Sequence, residues 1–571
     1  MYLDFLVKIP EVNGKITYRK KDGFSYVYYE YDRIYDPKRQ FTNVKRAMIG
    51  KSFKTDPLMM QPNQNYLKFF PEAELPEEKN RTLRSSCLRI GTHIVLKKIM
   101  RDSGILEILN QYFNEKDIGL FLDLVAYPII TENNAVQYYP DYAYNHALFT
   151  QDMRIYSDSK VSDFFRSITD NQSVGFLNSW NESKDHREKI YLSYDSTNKN
   201  CQAGEIEMLE YGKAKVDQGL PIFNYSIAYG TRNQNPLFYE TYPGSINDVS
   251  QLQFMLDKAS GYGYKKIGFI LDRGYFSKGN IEYMDKCGYS FVIMVKGMAS
   301  LVKQLVLEHK GTFEKKRINN ISECRVYGIT VKRKLYVTDE NERYFHIYHS
   351  LDKENAECNL IENRIEQMTK FMKNHTNEIR EFGSGFEKYF ELYYDEEKKT
   401  FLFPVEKASV IESEINLCGY FCIITSDKMT AKEAINLYKS RDVSEKLFRG
   451  DKSYLGNRSL RVYSDESASA KIFIEFIALI IRSRIYTGLK EGMKNLDKRP
   501  NFMTVPAAIK ELEKIEMVRQ LDNVYRLDHA VTATQKTILK AFGIDTTYVK
   551  YKATEISKVL KNAGNQKEER S

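Results

Sequence analysis

The sequence predicts an α/β protein whose core is a mixed sheet with flanking helices, interrupted by a mainly β insertion. Between residues 190 and 295, strand-like and helix-like segments follow one another in the order β-β-β-α-β-α-β, which is typical of a layered sheet covered by helices. This alternation stops over residues 296–415 and resumes at residues 419–425. Residues 14–54 alternate aromatic and β-branched residues with basic ones, which predicts a small antiparallel sheet before the core.

The hydrophobic pattern places the individual elements of the core. Strands are predicted at residues 190–197, 222–229, 236–242, 267–271 and 291–295, and helices at residues 249–259 and 279–287. The run at 267–271 is continuously apolar, as expected of a strand that is buried on both faces. Residues 91–149 and most of the chain after residue 430 have helical periodicity, whereas four prolines between residues 56 and 80 indicate a linker.

These patterns divide the chain into seven segments. In chain order we predict a small β-rich domain at 1–55, a linker at 56–90, a helical region at 91–185, the first half of the core at 186–295, a β-rich insertion at 296–415, the second half of the core at 416–489, and a helical C-terminal region at 490–571. A length of 571 residues requires such a division, because one hydrophobic core does not organise a chain this long.

Composition excludes several classes of protein. With 42% apolar and 28% charged residues, the chain is neither largely disordered nor collagenous. The net charge of +9 favours a polyanionic partner if the basic residues cluster, and an ordinary basic protein is an equally good interpretation. The seven cysteines include no CxxC pair, which predicts reduced thiols in a cytosol.

The sequence also predicts a soluble, intracellular protein. Its first ten residues include Asp4 and do not resemble a signal peptide. The longest apolar run, 472–481, is interrupted by Glu475 and falls well short of the roughly 20 residues that span a bilayer. We therefore expect no membrane partner.

Two acidic residues follow predicted strands of the core. Asp195 ends the first strand and Asp272 follows the continuously apolar one. Ligands of α/β proteins bind at the carboxyl ends of strands, so both carboxylates are candidates for a functional site. Taken singly, each is better explained as a solvated turn residue or a helix N-cap than as a functional residue.

A third acid lies on a helix predicted at residues 431–447. Thr430 and Glu433 have the spacing of a capping box, and Tyr438, Arg441 and Glu445 then share one helix face. Lys452 joins this face if the helix continues past Gly450. Such a face suits contact with a phosphodiester, although an exposed, salt-bridged face is the alternative.

The spacing Tyr438-x2-Arg441-x3-Glu445-x6-Lys452 resembles the YREK signature of bacterial insertion-sequence transposases with a DDE catalytic triad. Further fragments agree with this family: Asp195-Ser-Thr, Asp272-Arg-Gly-Tyr, residues 236–239 and 243–248, and Arg461-Val-Tyr. The resemblance covers roughly residues 144–484. The sequence departs from the family in two respects. Asp442 stands where the family often has Trp. Better-known members of the family have a functional tryptophan in the insertion, whereas the sole tryptophan here, Trp180, lies outside it.

The resemblance implies an RNase H-like core and a two-metal DNA transposase that cleaves and joins DNA strands. It implies that Asp195, Asp272 and Glu445 are the catalytic residues and ligands of two Mg²⁺ or Mn²⁺ ions, with Asp195 bridging both. Tyr438, Arg441 and Lys452 would bind the DNA backbone, and the helical region at 91–185 would be a DNA-binding region.

The implied partners are double-stranded DNA, as transposon ends and as target, and a second copy of the chain in a homodimer on DNA; no small-molecule substrate is expected. The implied location is the bacterial cytoplasm, in association with the nucleoid. Two alternatives keep the fold. One is an inactive or domesticated relative that only binds DNA, and the other is a metal-dependent nuclease.

Overall fold

The structure is a computed structural model of the full chain. It describes all residues except 1, 22–23, 38–39, 54–55, 76–83, 187–188, 202–205, 213–218, 232–233, 247, 296–299, 338, 340, 495, 497–499 and 569–571. Of the remaining residues, the side chains of 36, 195, 248–250, 443–445, 447–449 and 564–568 are also outside the description. Two compact units result, one comprising Met1–Thr169 with Arg484–Ser571 and the other Asp170–Ser483.

The first unit begins with the antiparallel sheet that the sequence predicts. Its elements are β1 (Val7–Lys8), β2 (Ile16–Lys21), β3 (Phe24–Asp36), β4 (Phe41–Phe53) and β5 (Asp56–Pro62), in the order β1-β5-β4-β3-β2, followed by α1 (Gln64–Phe69) and β6 (Cys87–Arg89). The predicted linker at 56–90 is therefore wrong for residues 56–69. Pro57 and Pro62 lie near the two ends of β5, where a strand tolerates proline.

A helical region follows, as the periodicity predicts. It contains α2 (Gly91–Asp102), α3 (Ile105–Tyr112), α4 (Glu115–Thr131), α5 (Tyr139–Asn145) and α6 (Asp158–Ser167). Asp123 of α4 is fully buried and accepts hydrogen bonds from the backbone N–H groups of Phe149 and Thr150, at 2.7 and 3.1 Å. Burial raises the pKa of this carboxyl to about 7, against the effect of the two N–H donors.

The second unit is built on a mixed sheet with helices. Its elements up to the end of the first core half are α7 (Asp170–Glu182), β7 (Ile190–Asn200), β8 (Ile222–Gly230), β9 (Asn235–Pro243), α8 (Asp248–Gly261), β10 (Ile267–Leu271), α9 (Lys278–Lys286) and β11 (Ser290–Met294). β7, β8 and β9 are antiparallel neighbours, whereas β10 runs parallel to β7, and β11 parallel to β10. The β-β-β-α-β-α-β order predicted from the sequence is thus present.

The remaining elements of this unit are α10 (Ser300–His309), β12 (Asn320–Ile321), β13 (Val326–Lys334), β14 (Glu342–His349), α11 (Leu351–Lys373), α12 (Ser384–Glu387), β15 (Phe390–Tyr394), β16 (Phe401–Glu406), α13 (Ala408–Ile415), β17 (Tyr420–Thr425), α14 (Ala431–Lys439), α15 (Asp442–Tyr454) and, as far as Ser483, α16 (Asp465–Met493). The full sheet order is β12-β13-β14-β17-β11-β10-β7-β8-β9.

The description of residues 296–415 as mainly β is wrong. Among the described residues of this range there are four α-helices, and α11 alone is 23 residues long. Its strands also fall into two groups, because β13 and β14 extend the core sheet through β17 whereas β15 and β16 pair with each other. Strand pairing over such sequence distances is not encoded locally, which is why the periodicity did not reveal it.

The C-terminal part of the first unit contains α17 (Val505–Leu512), β18 (Glu516–Arg519), β19 (Tyr525–Leu527), α18 (Ala533–Lys540) and α19 (Thr546–Glu568). β18 and β19 form a sheet with β6, in the order β19-β18-β6, so the purely helical prediction for 490–571 is wrong at these strands. The short strands escape notice because each has only three or four residues. No helix among the described residues has the length and apolar character needed to cross a membrane.

The ring of Tyr191 on β7 packs directly against Gly268 of β10. A Cβ atom at Gly268 would lie 2.5 Å from the ring of Tyr191, so only glycine leaves room for this ring. The ring is held from its far end, because the Tyr191 hydroxyl donates a hydrogen bond to Asp427 Oδ2 at 3.0 Å. Asp427 in turn accepts from Lys189 and from Ser290. The contact is therefore unable to relax by a simple swing of the ring.

We expect Gly268→Ala to destabilise the second unit by about 1–3 kcal/mol, the usual cost of forcing an extra methyl group into a packed site. Chemical denaturation followed by the fluorescence of Trp180 measures this, because Trp180 is the sole tryptophan and is buried in the same unit. Gly279→Ala in α9 is the control, since nothing lies within 4 Å of its added Cβ. Equal denaturation midpoints for the two variants would contradict the prediction.

Candidate functional site

The two aspartates lie on or directly after adjacent parallel strands. The prediction that Asp195 ends its strand is wrong, because β7 stays paired with β8 as far as Asn200, whereas Asp272 directly follows β10 as predicted. The register of β7 and β10 pairs Ser193 with Ile270, and two residues further along each strand are Asp195 and Asp272. Adjacent strands are about 4.8 Å apart, so the backbones of the two aspartates are neighbours. The side chain of Asp195 lies outside the described residues. Two acids that are 77 positions apart in sequence thus occupy matching positions on two neighbouring inner strands of the sheet.

The carboxylate of Asp272 is partly exposed and carries two contacts from the helical segment after β17. Tyr438 donates a hydrogen bond from its hydroxyl to Oδ1 of Asp272 at 3.4 Å, and Nη1 of Arg441 lies 3.3 Å from the same oxygen. The guanidinium of Arg441 also lies over the ring of Tyr438, 5.5 Å from its centroid. The structure therefore brings three of the six predicted residues together.

Packing of α14 positions Tyr438. Thr430 and Glu433 form the predicted capping box at the start of this helix. Ile435 and Tyr438 then enter a core cluster with Ile270 of β10 and Val292 of β11. Burial raises the pKa of Tyr438 to about 12, and the negative charge of Asp272 adds to this while Arg441 opposes it. The hydroxyl therefore stays protonated and able to donate.

The single helix predicted at 431–447 is wrong, because α14 ends at Lys439 and α15 begins at Asp442. Ser440 is the local cause. Its hydroxyl donates to the carbonyl of Leu437, and the N–H of Arg441 donates to the carbonyl of Tyr438, three residues back instead of four. The tighter turn therefore places Tyr438 and Glu445 on two different helices.

α15 carries the remaining two residues of the predicted helix face, Glu445 and Lys452. The helix continues through Gly450 to Tyr454, so the glycine does not end it. α15 packs against β7, the strand of Asp195. The side chain of Glu445 lies outside the described residues, and that of Lys452 is half-buried and in contact with neighbours. The structure thus places the helix of the third acid beside the strand of the first.

Of the three predicted metal ligands, only Asp272 has a described side chain, and its chemistry suits a divalent cation. Carboxylate oxygens are the hard ligands that Mg²⁺ and Mn²⁺ prefer, and Asp272 presents a partly exposed carboxylate that already attracts a cationic group, Arg441. Among the described side chains, no group of three or more His, Cys, Asp or Glu residues is arranged to hold a metal. The carboxylates of Asp195 and Glu445 are not among those side chains.

A buried set of charges near this site was missed by the sequence reasoning. Lys199 of β7, Asp451 of α15, and Lys471 and Glu475 of α16 are all almost fully buried. The available signal was a charge inside an apolar run, since Glu475 interrupts residues 472–481. Sequence alone could not show its partners, because they come from separate elements.

A model of the family described as "Transposase DDE domain" matches residues 192–481, just over half of the chain. No curated protein matches the sequence. Among solved structures, the chain is similar to a piggyBac transposase synaptic complex with hairpin DNA, at 8% identity and a TM-score of 0.36 over 82% of both chains. It is also similar to the Mos1 transposase paired-end complex with left transposon end, at 9% identity and a TM-score of 0.14 over 40% of this chain and 65% of that one. Both TM-scores are below 0.5, so neither similarity bears on function here.

Proposed function

The chain belongs to the family of proteins with a transposase DDE domain, and we propose that it is the DNA transposase of a bacterial insertion sequence. In this proposal it binds the terminal inverted repeats and catalyses metal-dependent strand cleavage and strand transfer. The observation that carries the proposal is the β7–β10 register, which sets Asp272 beside Asp195. The contact of α15 with β7 adds the helix of Glu445 to the same neighbourhood.

An RNase H-like core is the fold that we propose for residues 186–295 and 416–489, with an insertion at 296–415. Support comes from the mixed sheet, in which β7, β8 and β9 are antiparallel while β10 and β11 run parallel to β7. Helices α8 and α9 connect the parallel strands, as such crossovers require.

The chemistry of phosphodiester transfer explains the choice of residues. Asp195 would bridge two Mg²⁺ or Mn²⁺ ions, and Asp272 and Glu445 would each complete the ligands of one. When bound, such ions activate the attacking oxygen and stabilise charge on the leaving oxygen. Arg441 offers a planar guanidinium for a two-point phosphate contact, and Tyr438 and Lys452 would support the same DNA strand. The chain's own role is to hold the backbone of the transposon end in line for transfer.

The proposed partners are double-stranded DNA, as transposon end and as target, and a second copy of the chain in a homodimer on that DNA. An assay with a labelled terminal-repeat substrate and Mg²⁺ tests the activity. Joined strands support the transposase. Binding alone would indicate a DNA-binding relative, and hydrolysis without joining would indicate a nuclease.

A second prediction concerns the three acids. We expect Asp195→Asn, Asp272→Asn and Glu445→Gln each to lower strand cleavage by roughly 10³-fold, about 4 kcal/mol of transition-state stabilisation. DNA binding should persist in all three, as measured by fluorescence anisotropy. Glu282→Gln is the control, because Glu282 is an exposed acid of α9 whose ion-pair partner is Lys278. Calorimetry with Mn²⁺ should show uptake by the wild type and much less by Asp195→Asn; equal uptake would remove the metal assignment.

A third prediction concerns Arg441, which cannot fully engage a phosphate while it pairs with Asp272. Without divalent metal, Asp272→Asn should therefore bind DNA more tightly than the wild type, by about 2- to 10-fold. Asp195→Asn is the matched control, because it also removes one acid from the site but leaves the pair of Arg441 with Asp272 in place. Anisotropy titrations in EDTA compare the two. Equal tightening would show that only the loss of negative charge matters.

Arg441→Gln gives the complementary result. We expect weaker DNA binding and a salt dependence that is shallower by about one unit in the slope of log affinity against log salt, because one phosphate contact is lost. In the double variant with Asp272→Asn, the tightening should disappear. Titrations at several salt concentrations measure both effects, and an unchanged slope would exclude a direct phosphate contact.

A further inference from the structure

Three charged side chains form a buried group that joins three elements of the second unit. Nζ of Lys199 lies 2.8 Å from Oδ2 of Asp451 and 2.8 Å from Oε2 of Glu475. The side chains of Lys199 and Asp451 have no exposed surface, and that of Glu475 is 2% exposed. Since Lys199 is on β7, Asp451 on α15 and Glu475 on α16, one ammonium group connects a strand to two helices.

The charges in this group are held in place by further contacts. Asn457 donates a hydrogen bond to Oδ1 of Asp451 at 2.8 Å, and the ammonium of Lys199 lies over the ring of Tyr225, 4.5 Å from its centroid. Burial alone would lower the pKa of Lys199, but the two carboxylates outweigh it and hold the pKa above its ordinary value. The ammonium therefore remains charged, and removing a partner would leave a poorly compensated charge in the interior.

Backbone contacts beside this group also join the end of β7 to the segment that follows α15. Asn200, the last residue of β7, forms a parallel bridge with Ser459 in the segment after α15. The N–H of Leu460 donates to the carbonyl of Asn200 at 2.9 Å, and Lys471 donates to the carbonyl of Leu460 at 2.5 Å. The last residue of β7 is thus held by backbone contacts to two successive residues of the segment after α15, Ser459 and Leu460.

Lys199 and Asp451 lie on the same strand and the same helix as two of the proposed acids. Lys199 lies four residues after Asp195 on the same strand, a distance of about 13 Å. Asp451 lies six residues after Glu445 on the same helix, about 9 Å along its axis. Because strand and helix are each stiff over such lengths, a fixed contact between Lys199 and Asp451 fixes how far α15 can slide along β7.

We propose that the Lys199–Asp451 ion pair sets the register of α15 on β7 and thereby holds Asp195 and Glu445 at the separation that bound divalent cations require. Lys199 and Asp451 are then positioning residues that act through the two acids. The proposal rests on the proposed function, since it presupposes a metal site formed by these carboxylates.

Asp451→Asn and Glu475→Gln form a matched pair for the test. Each variant removes one negative charge from the same ammonium, but only the first loosens the tie to α15, whereas the second loosens the tie to α16. Asparagine at 451 also keeps the oxygen that accepts from Asn457. The measurements are Mn²⁺ calorimetry, DNA anisotropy, strand cleavage, and hydrogen exchange of the backbone amides in α15.

In Asp451→Asn we expect Mn²⁺ affinity to fall at least about 10-fold and cleavage about 100-fold, with faster exchange in α15 and unchanged DNA affinity. In Glu475→Gln, Mn²⁺ affinity should change less than about 3-fold. Equal losses of metal affinity in the two variants would overturn the positioning role. If instead the wild type itself takes up no Mn²⁺ and cleaves no DNA, the proposed function fails, which is a distinct result.

A second variant guards against misfolding. The triple variant Lys199→Met, Asp451→Leu and Glu475→Gln removes all three charges of the group, so that none of them is left buried without its partner, and such replacements usually fold. It should keep the thermal midpoint near that of the wild type while losing Mn²⁺ affinity, because contacts without charge do not fix one register. Wild-type Mn²⁺ affinity in this triple variant would overturn the proposal.

Discussion

The parallel register between β7 and β10 is the constraint on which the candidate site depends. All five residues of β10 are buried, so a shift of one residue would reverse the faces of the strand and disrupt the core on both sides. Gly268 strengthens this specification, since the ring of Tyr191 on β7 occupies the space that any larger residue would fill. The adjacency of Asp195 and Asp272 is thus a by-product of core packing, and it requires no direct interaction between two like charges.

Packing also explains how positive charge reaches Asp272. Tyr438 is anchored in the core cluster that includes Ile270, so its hydroxyl is carried to the end of β10 by apolar contacts. The tight turn at Ser440 then brings Arg441 to the same carboxylate oxygen. A guanidinium paired with Asp272 compensates part of the repulsion between neighbouring acids, and a bound cation would take over that role. In the proposed function, metal binding and phosphate binding would therefore be coupled through one carboxylate.

The sequence allowed prediction of those features that are encoded locally. The strand that Asp272 follows, the capping box of Thr430 and Glu433, and the order of elements up to β11 could be predicted because each depends on residues that are close in the chain. The continuation of β7 past Asp195 could not be predicted, since it depends on pairing with β8. The break at Ser440 could not, since it depends on which carbonyl a hydroxyl selects. The joining of β13 and β14 to the core sheet, and the meeting of Lys199 with Asp451, depend on contacts between distant residues and leave no periodic signal.

The buried charges raise the question of why the interior retains them. An apolar set of similar volume would often be as stable, because desolvation offsets much of the attraction between buried charges. Apolar contacts, however, are non-directional and tolerate sliding by a fraction of a turn. An ammonium with two carboxylates at 2.8 Å has one good arrangement, and displacement of α15 along β7 would separate Lys199 from Asp451. Where a helix must present a carboxylate to a metal within about half an ångström, that difference in specificity outweighs any small loss of stability.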